Sequence, residues 1–213
     1  MELVILGPQG AGKGTQSVRL IEKYAIPDIA TGDIFRAAMK DSESDLGAKV
    51  RQYVDSGRLV PDELVIEIVL ARLRQGDTQD GFLLDGYPRS RAQAEALDKF
   101  LSERGTPLDG AIVIEVPEEV SMRRILSRRV CAQCGWTYSV DMPPKSNWTC
   151  DRCGGEVVGR FDDQEEATVR ERLKNYTEQT LPLKKYYDER QVLVQIDGTK
   201  TPDEVFSEIV TAL

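Results

Sequence analysis

The chain has 213 residues, a formal net charge of −8 and a sequence pI near 4.8, and 40% of its residues are hydrophobic. This length and composition fit one α/β domain with small insertions. The acidic balance argues against broad binding to nucleic acid or to an anionic membrane, so any anion site must be a local cluster of basic side chains.

The sequence predicts no targeting or membrane-spanning segment. No apolar run approaches the roughly 18 residues needed to span a bilayer, and Leu3–Leu6 is far too short for a signal segment. We therefore expect a cytoplasmic protein with no membrane partner. Because the chain contains no histidine, acid–base or metal chemistry must use other side chains.

The first motif is a glycine-rich loop at residues 7–16 (GPQGAGKGTQ), between the apolar run Leu3–Leu6 and a helix predicted from Lys13 to Tyr24. A strand, a GxxxxGK loop and a helix are the parts of a P-loop. Glycines let backbone N–H groups wrap around a phosphate, the helix presents its positive end, and Lys13 adds a mobile charge. The usual hydroxyl comes one place late, at Thr15. The loop predicts a nucleotide-phosphate site; a glycine-rich turn that binds nothing is the alternative.

Two short helices are predicted between residues 31 and 60. Residues 29–33 (IATGD) indicate a strand end followed by a capped helix start, with Arg36 about one turn into that helix. A second helix is predicted over Gly47–Ser56, and a longer one, opened by a proline, from about Asp62 to Arg74. Because the two short helices carry few large apolar residues, we interpret residues 31–60 as a small mobile flap.

The second motif lies at residues 81–89 (GFLLDGYPR). Three apolar residues followed by Asp85 are typical of a buried strand that ends in a carboxylate, the Walker-B pattern. Beside a P-loop, such a strand would bring Asp85 close to a Mg²⁺ ion and its bound waters; the alternative is a surface turn after a core strand. Arg89 follows on a stiffened loop, and Gln93 lies one helical turn further on.

A third region combines a strand with an arginine-rich helix. The strand is predicted at Ala111–Val116 and the helix from Glu118 to about Val130. Arg124 and Arg128 are four residues apart and would share one face of this helix. Their planar guanidinium groups suit both stacking on a base and bidentate phosphate binding. Two arginines that point elsewhere are interpreted as solvated charges: Arg123 and Arg129.

Four cysteines form the last strong motif, Cys131-x-x-Cys134 and Cys150-x-x-Cys153, with fifteen residues between the pairs. Two such knuckles predict a structural zinc site with four thiolates. The segment between them suits a short β insert with too little core to fold without metal. Two disulfides are the alternative, disfavoured in a cytoplasmic protein, and a redox-active cysteine pair is another. Four ligands leave no open position, so this metal should do no chemistry.

The C-terminal part is predicted to be mainly helical. A long helix is expected from about Gln164 to Tyr187, interrupted near Pro182, after the acidic pair Asp162-Asp163. The last strand is predicted over Val192–Ile196 and the closing helix over Pro202–Leu213.

Five linked motifs together resemble the adenylate kinase family, in the family's order and over nearly the whole chain: residues 7–16, 31–33 with Arg36, 57–60, 85–89 with Gln93, and 197–200. The resemblance implies an α/β P-loop kinase fold, with a parallel sheet of about five strands, helices on both faces and two inserted mobile flaps. It also implies reversible phosphoryl transfer from MgATP to AMP, giving two ADP and maintaining adenine nucleotide balance. The expected cofactors are Mg²⁺ and structural Zn²⁺.

The same resemblance divides the chain into core, flap and lid. The core would comprise residues 1–30, 61–126 and 165–213, the AMP-binding flap residues 31–60, and the zinc-bearing lid residues 127–164. Family members with a long lid often carry a four-cysteine site at this place. The expected partners are ATP, AMP and ADP, without nucleic acid, and the expected state is a monomer.

On the ATP side, the resemblance implies that Lys13 and the loop amides hold the phosphates. Arg124 would lie against the base and Arg128 at the phosphates, and the loop with Gly198 and Lys200 would lean on the base. The full expected set is Gly10, Ala11, Gly12, Lys13, Gly14, Thr15, Arg124, Arg128, Thr137, Tyr138 and Lys200.

On the AMP side, the resemblance implies that Arg36 and Arg89 clamp the phosphate, while Thr31, residues 58–60 and Gln93 receive the nucleoside. The full expected set is Thr31, Arg36, Arg58, Leu59, Val60, Gly86, Tyr87, Pro88, Arg89, Gln93, Arg160 and Arg172. The side chains expected to take part in catalysis are Lys13, Asp85, Arg89, Arg128, Arg160 and Arg172. Two departures from the family pattern, Pro8-Gln9 and Tyr87, change no charged group.

One arginine position is ambiguous. The family places an arginine after a Thr-Val pair, here Thr168-Val169, and this selects Arg172. The chain carries one extra residue between Asp163 and Thr168, which leaves Arg170 as the rival.

The sequence is also compatible with two other functions. The nearer one is a kinase for another nucleoside monophosphate, or one that uses GTP as donor. The more distant one is a zinc-ribbon, nucleic-acid-binding P-loop ATPase, against which the acidic charge and the grouping of Asp85, Arg89 and Gln93 argue.

Overall fold

The computed structural model describes residues 1–40, 45–55, 59–160, 163 and 165–213. Its strands, in chain order, are β1 (Glu2–Leu6), β2 (Asp28–Ala30), β3 (Phe82–Asp85), β4 (Gly110–Glu115), β5 (Arg128–Cys131), β6 (Thr137–Ser139), β7 (Val157–Gly159) and β8 (Leu193–Asp197). Its helices are α1 (Lys13–Tyr24), α2 (Thr31–Lys40), α3 (Asp45–Asp55), α4 (Asp62–Leu73), α5 (Arg91–Arg104), α6 (Glu118–Ser127), α7 (Glu166–Asn175), α8 (Leu183–Asp188) and α9 (Pro202–Ala212).

A five-stranded parallel sheet in the order β2-β3-β1-β4-β8 forms the centre of the molecule. Its strands are apolar throughout because helices cover both faces. Alternate residues of β1 illustrate this: Val4 and Leu6 belong to one buried cluster, with α4, α5 and α8, while Leu3 and Ile5 belong to another, with α1 and α9. The structure confirms the predicted P-loop kinase architecture.

The sheet brings the predicted motifs to one edge. All five strands are parallel, so their carboxyl ends meet there: β1 leads into the glycine-rich loop, β3 ends at Asp85, and β8 ends at Asp197. From β1 the chain continues to β2, at one edge of the sheet. From β3 it continues in the opposite direction, to β4 on the far side of β1. A crevice at such a reversal is where open α/β sheets bind ligands.

A smaller antiparallel sheet, β6-β5-β7, carries the cysteines. Its own core is limited to Cys131, Tyr138, Cys150 and Val157, with Trp136 packed against them. The expectation of a short β insert with little core is therefore confirmed.

The prediction of one helix from Glu118 to Val130 is wrong at its end. Helix α6 stops at Ser127, and Arg128 takes an extended backbone with φ −65° and ψ 138°. Arg128 is paired in register with Ser139, so the ladder of the small sheet replaces the last helical turn. Arg124 and Arg128 therefore do not share a helical face.

The long helix predicted from Gln164 to Tyr187 is divided into separate parts. Gln164 lies outside the described residues, and α7 begins at Glu166. A wide turn at Tyr176–Thr180 separates α7 from α8, with the Leu181 N–H donating to the Tyr176 carbonyl at 2.8 Å. The predicted interruption near Pro182 is confirmed, since α8 begins at Leu183, directly after this proline. Proline has no N–H to continue the helical hydrogen bonds.

The region predicted to be a flap packs two short helices together. A Cβ on Gly47 of α3 would lie 2.2 Å from the Ala38 carbonyl oxygen of α2, so the two helices cross at a distance that only glycine permits. Val50 is fully buried, and Phe35 packs against the same core cluster. The mobility of this flap stays a prediction. Within the described residues, no helix combines the length and the apolar character that crossing a membrane requires.

Candidate active site

The glycine-rich loop presents an open N-terminus of α1. Gly12 precedes the helix in the left-handed region, with φ 99°, and no side chain caps the helix. A Cβ on Gly12 or Gly14 would meet no atom within 4 Å, so both glycines border open space. At Gly10, in contrast, a Cβ would lie 2.8 Å from the Ser121 carbonyl oxygen. The first N–H groups of α1 are thus available to an anion in the cleft.

Lys13 is the first residue of α1 and is partly buried. Its Nζ donates to the carbonyls of Gly7 at 2.8 Å and Pro8 at 3.0 Å. Burial lowers the pKa of the ammonium to about 8, and the Asp85 carboxylate opposes this shift. Three further cations lower the same pKa: Arg89, Arg128 and Arg160. The site is therefore rich in positive charge and favours an anionic ligand.

Asp85 ends β3 opposite Ile5 of β1, beside the start of the loop. Burial raises the pKa of its carboxyl, while Lys13 and Arg89 lower it. The exposed Thr15 lies in the first turn of α1. Carboxylate and hydroxyl oxygens are hard ligands that suit Mg²⁺ and its waters, so these residues fit the predicted ion.

Asp28, at the start of β2, is a further carboxylate beside Asp85 that the sequence motifs did not indicate. Asp28 keeps contact with solvent, but the surrounding protein raises the pKa of its carboxyl to about 7, and the carboxylates of Asp85 and Asp33 act in the same direction. No local motif marks this residue, because its carboxylate neighbours lie on other elements.

Arg89 is held on the predicted acceptor side. Its Nε donates to the Gly86 carbonyl at 2.7 Å, and the Thr31 hydroxyl donates to the same oxygen at 3.1 Å. The Arg89 side chain is exposed, but the protein atoms around it desolvate the guanidinium and lower its pKa, whereas the Asp85 carboxylate raises it. Arg172 and Arg36 are among the cations that lower this pKa further.

The other predicted acceptor residues lie around Arg89. Arg36 pairs with Asp33 at 2.5 Å. The Tyr87 ring and Pro88 are buried, as are Val60 and Gln93, and Leu59 is partly buried. Arg58 lies outside the described residues.

Asp163, which the sequence analysis named only as half of an acidic pair, joins three parts of the site. Arg128 donates to its carboxylate from Nε at 2.6 Å and from a terminal nitrogen at 2.8 Å. The Gln9 amide of the glycine-rich loop donates at 2.6 Å, and Arg172 of α7 lies 3.7 Å away. Asp163 is only 5% exposed, so it is a buried carboxylate shared by loop, small sheet and helix.

The structure separates the two rival arginines. Arg172 lies beside Asp163 and acts on the pKa of Arg89, which places it in the cleft. Arg170 is exposed on the same helix and pairs with Glu166 at 2.6 Å. The positive charge of Arg160 lowers the pKa of both Lys13 and Arg89.

The residues predicted near the ATP base are more dispersed. Arg124 donates to the Gly198 carbonyl at 3.0 Å and to the Gly10 carbonyl at 3.3 Å, so it joins the loop after β8 to the glycine-rich loop. Lys200 is exposed and pairs with Glu208. Thr137 is exposed, whereas Tyr138 is buried, so any nucleotide contact of Tyr138 would come from its backbone.

The four cysteines converge on one point. All four Sγ atoms lie within 4.8 Å of one another, with Cys131 and Cys153 at 3.4 Å and Cys134 and Cys150 at 3.6 Å. These distances exceed an S–S bond of about 2 Å, and all four thiols are free. A tetrahedron of Zn–S bonds of about 2.3 Å fits such spacings.

Tyr138 supports this cluster. Its hydroxyl donates to Cys150 Sγ at 3.5 Å and accepts from the Asp151 N–H at 2.7 Å. The Tyr138 hydrogen bond is the largest of several that lower the pKa of the Cys150 thiol to about 6, toward the thiolate that a metal requires. The structure thus fits the predicted zinc site and adds an outer residue to it.

The site defines a P-loop phosphotransferase that acts on nucleotides. It combines a parallel sheet, a glycine-rich loop, a cluster of cations and Asp85. The family model described as "Adenylate kinase" matches residues 5–192. Three adenylate kinases are similar over 100% of this chain: one from Carboxydothermus hydrogenoformans (53% identity, 99% of its own length), one from Clostridium tetani (50%, 98%) and one from Thermoanaerobacter sp. strain X514 (49%, 98%). The chain therefore belongs to the adenylate kinase family.

Replacing Tyr138 by phenylalanine should weaken zinc binding about 10- to 100-fold, because outer-shell hydrogen bonds orient metal ligands. Competition with a chromophoric chelator under reducing conditions measures this affinity. Tyr24→Phe, the same change on α1, is the matched control and should bind zinc as the parent does. Equal affinities in the two variants would contradict the role given to Tyr138.

Replacing Asp28 by asparagine should stabilise the protein at high pH only. The folded pKa of Asp28 is raised, so the folded state binds the proton more tightly than the unfolded state, and the parent loses stability as the pH rises from about 4 to about 7. Denaturant midpoints should show Asp28→Asn above the parent at pH 8 and equal to it near pH 4. The exposed Asp188→Asn serves as control. A difference for Asp28→Asn that does not change with pH would show that the carboxyl titrates normally.

Proposed function

We propose that the cleft transfers a phosphoryl group from MgATP to AMP, giving two ADP, by positioning and charge neutralisation without a covalent intermediate. Transfer between ATP and AMP is the activity of the adenylate kinase family, to which the chain belongs. The observations that carry the residue roles are the Lys13 ammonium at the glycine-rich loop, Arg128 and Arg172 beside Asp163, and the charges of Arg89, Arg128 and Arg160 that lower the Lys13 pKa. Cations fixed around a phosphoryl group stabilise the charge of its transition state.

On the donor side, the N-terminus of α1 and Lys13 would hold the ATP phosphates. Lys13 now bonds two carbonyls of its own loop, and a phosphate would offer it a stronger, charged partner. Asp85 and Thr15 would hold Mg²⁺ and its waters. When bound, this ion neutralises oxygens of the donor phosphates. Arg124, Lys200 and the backbone near Thr137 and Tyr138 would complete the ATP site.

On the acceptor side, Arg36 and Arg89 would bind the AMP phosphate. Each guanidinium now bonds an oxygen that a phosphate would replace: a carboxylate oxygen of Asp33 for Arg36, and the Gly86 carbonyl for Arg89. The planar guanidinium forms bidentate pairs with phosphate. The nucleoside would lie against Thr31, Leu59, Val60 and the segment from Gly86 to Pro88, with Gln93 behind it.

Arg128, Arg160 and Arg172 would complete the charge around the transferred group. Asp163 supports this role, because it holds Arg128 and Arg172 next to each other on the buried side of the cleft. Closure of the flap and the lid would exclude water, which favours transfer to AMP over hydrolysis of ATP.

We further propose that Zn²⁺ is structural. Four thiolates leave no open coordination position, and the small cluster that surrounds them offers little apolar area of its own. We also propose a monomeric, cytoplasmic enzyme that maintains the balance of adenine nucleotides. The net charge of −8 supports nucleotides rather than nucleic acid as its partners.

A coupled assay of ADP formation tests the proposed reaction. With MgATP, ADP should form only when AMP is present, and a panel of other monophosphates and of GTP as donor should give much lower kcat/KM. Faster turnover with another monophosphate or with GTP would replace the proposed substrates. ATP hydrolysis stimulated by nucleic acid would favour a different P-loop enzyme.

Replacing Arg172 by alanine should slow turnover about 100- to 1000-fold, because a preorganised cation leaves the place where charge develops. Arg170→Ala is the matched control on the same helix and should turn over at nearly the parent rate, since its side chain is exposed and pairs with Glu166. Initial rates at saturating ATP and AMP measure both effects. A larger loss in Arg170→Ala would reverse the assignment.

A further inference from the structure

The first residue of α4 is bonded to the loop that carries Arg89. Asp62 accepts a hydrogen bond from the Ser90 hydroxyl at 2.7 Å through Oδ2, and another from the Gln93 side-chain amide at 2.6 Å through Oδ1. Asp62 lies more than 25 residues earlier in the chain and is partly buried. Both contacts involve a carboxylate, and hydrogen bonds to charged groups are the stronger kind.

Gln93 links this carboxylate to the backbone of Arg89. Its Oε1 accepts from the Arg89 N–H at 2.8 Å, while its Nε2 donates to Asp62. A carboxylate can only accept and a backbone N–H can only donate, so a reversed amide would place like groups together at both ends. The orientation of the Gln93 amide is therefore fixed by its two partners.

The same cluster holds Arg89 from several sides. The Arg89 carbonyl accepts from the Thr180 hydroxyl at 2.9 Å, and its Nε donates to Gly86. The Tyr87 hydroxyl donates to the Gln93 carbonyl at 3.0 Å. Ser90, which donates to Asp62, also accepts from the Gln93 N–H and caps α5. Asp62 is thus the charged group behind both Arg89 and Gln93.

We propose that Asp62 is a positioning residue for the acceptor nucleotide and contributes to its base selectivity. Through Gln93, it holds the backbone from which Arg89 reaches the phosphate. It also fixes which end of the Gln93 amide is which, so that one N–H of Nε2 and one lone pair of Oε1 remain for a ligand in a defined order. This order can match the amino group and ring nitrogen of a 6-aminopurine, but not the reversed pattern of a 6-oxopurine. The inference rests on the proposed roles of Arg89 and Gln93.

The test compares Asp62→Ala with two matched variants. Asp62→Asn keeps the shape and an acceptor for Gln93, so it should restore most of the lost function. Glu63→Ala removes an exposed acid from the same helical turn and controls for the loss of negative charge at the start of α4. For each protein, steady-state rates give kcat and KM with AMP and with GMP, and calorimetry gives the Kd of ATP.

Asp62→Ala should raise the KM for AMP about tenfold and lower the ratio of kcat/KM for AMP over GMP, while the Kd of ATP stays as in the parent. Glu63→Ala should behave as the parent in all three. If Asp62→Ala does not fold, Asp62→Glu, which moves the carboxylate by one methylene, should show the same changes.

Parent-like KM and selectivity in Asp62→Ala, or in Asp62→Glu where the alanine variant does not fold, would overturn the inference. An equal loss of AMP and ATP binding with a lowered melting temperature would also overturn it, because Asp62 would then only stabilise the fold. Arg89→Ala separates this failure from that of the proposed function. If Arg89→Ala is impaired while Asp62→Ala behaves as the parent, only the role of Asp62 is wrong. If Arg89→Ala has a normal KM for AMP, the proposed acceptor site itself is wrong.

Discussion

The Lys13 ammonium, held by two carbonyls of its own loop, is the group on which the rest of the site depends. Burying a cation is costly unless an anion compensates it. Here burial and three arginines lower its pKa, and the Asp85 carboxylate offsets only part of the effect. The fold therefore maintains an excess of positive charge that a phosphate would relieve. Catalysis by preorganised charge requires this condition.

The parallel sheet makes this concentration of charge possible. Strand ends at one edge bring together groups that are far apart in the chain, and two buried clusters fix the strands from both faces. A few carboxylates then hold the cations in place. Asp163 pairs with Arg128 beside Arg172, Asp33 pairs with Arg36, and Asp62 acts on Arg89 through Gln93. Asp163 and Asp33 each neutralise part of the positive charge, whereas Asp62 hydrogen-bonds the neutral side chains of Ser90 and Gln93.

The sequence predicted those features that a short motif encodes. The loop around Lys13, the strand ending in Asp85 and the four cysteines depend on local spacing, and local spacing determines their geometry. It could not predict the end of α6, because the ladder of the small sheet competes with the last helical turn. Nor could it identify Asp28, Asp62 and Asp163, whose partners lie on distant elements. The residues next to each of these aspartates in the sequence do not indicate such long-range contacts.

The pKa of the Lys13 ammonium measures most directly whether the site maintains an excess of positive charge. Nitrogen-15 NMR of the lysine side chains, with the signal assigned by its loss in Lys13→Arg, gives this value with and without ATP. We expect a pKa of about 8 in the free protein and a rise of more than one unit when the nucleotide phosphates bind. An ordinary lysine pKa in the free protein, unchanged by ATP, would contradict it.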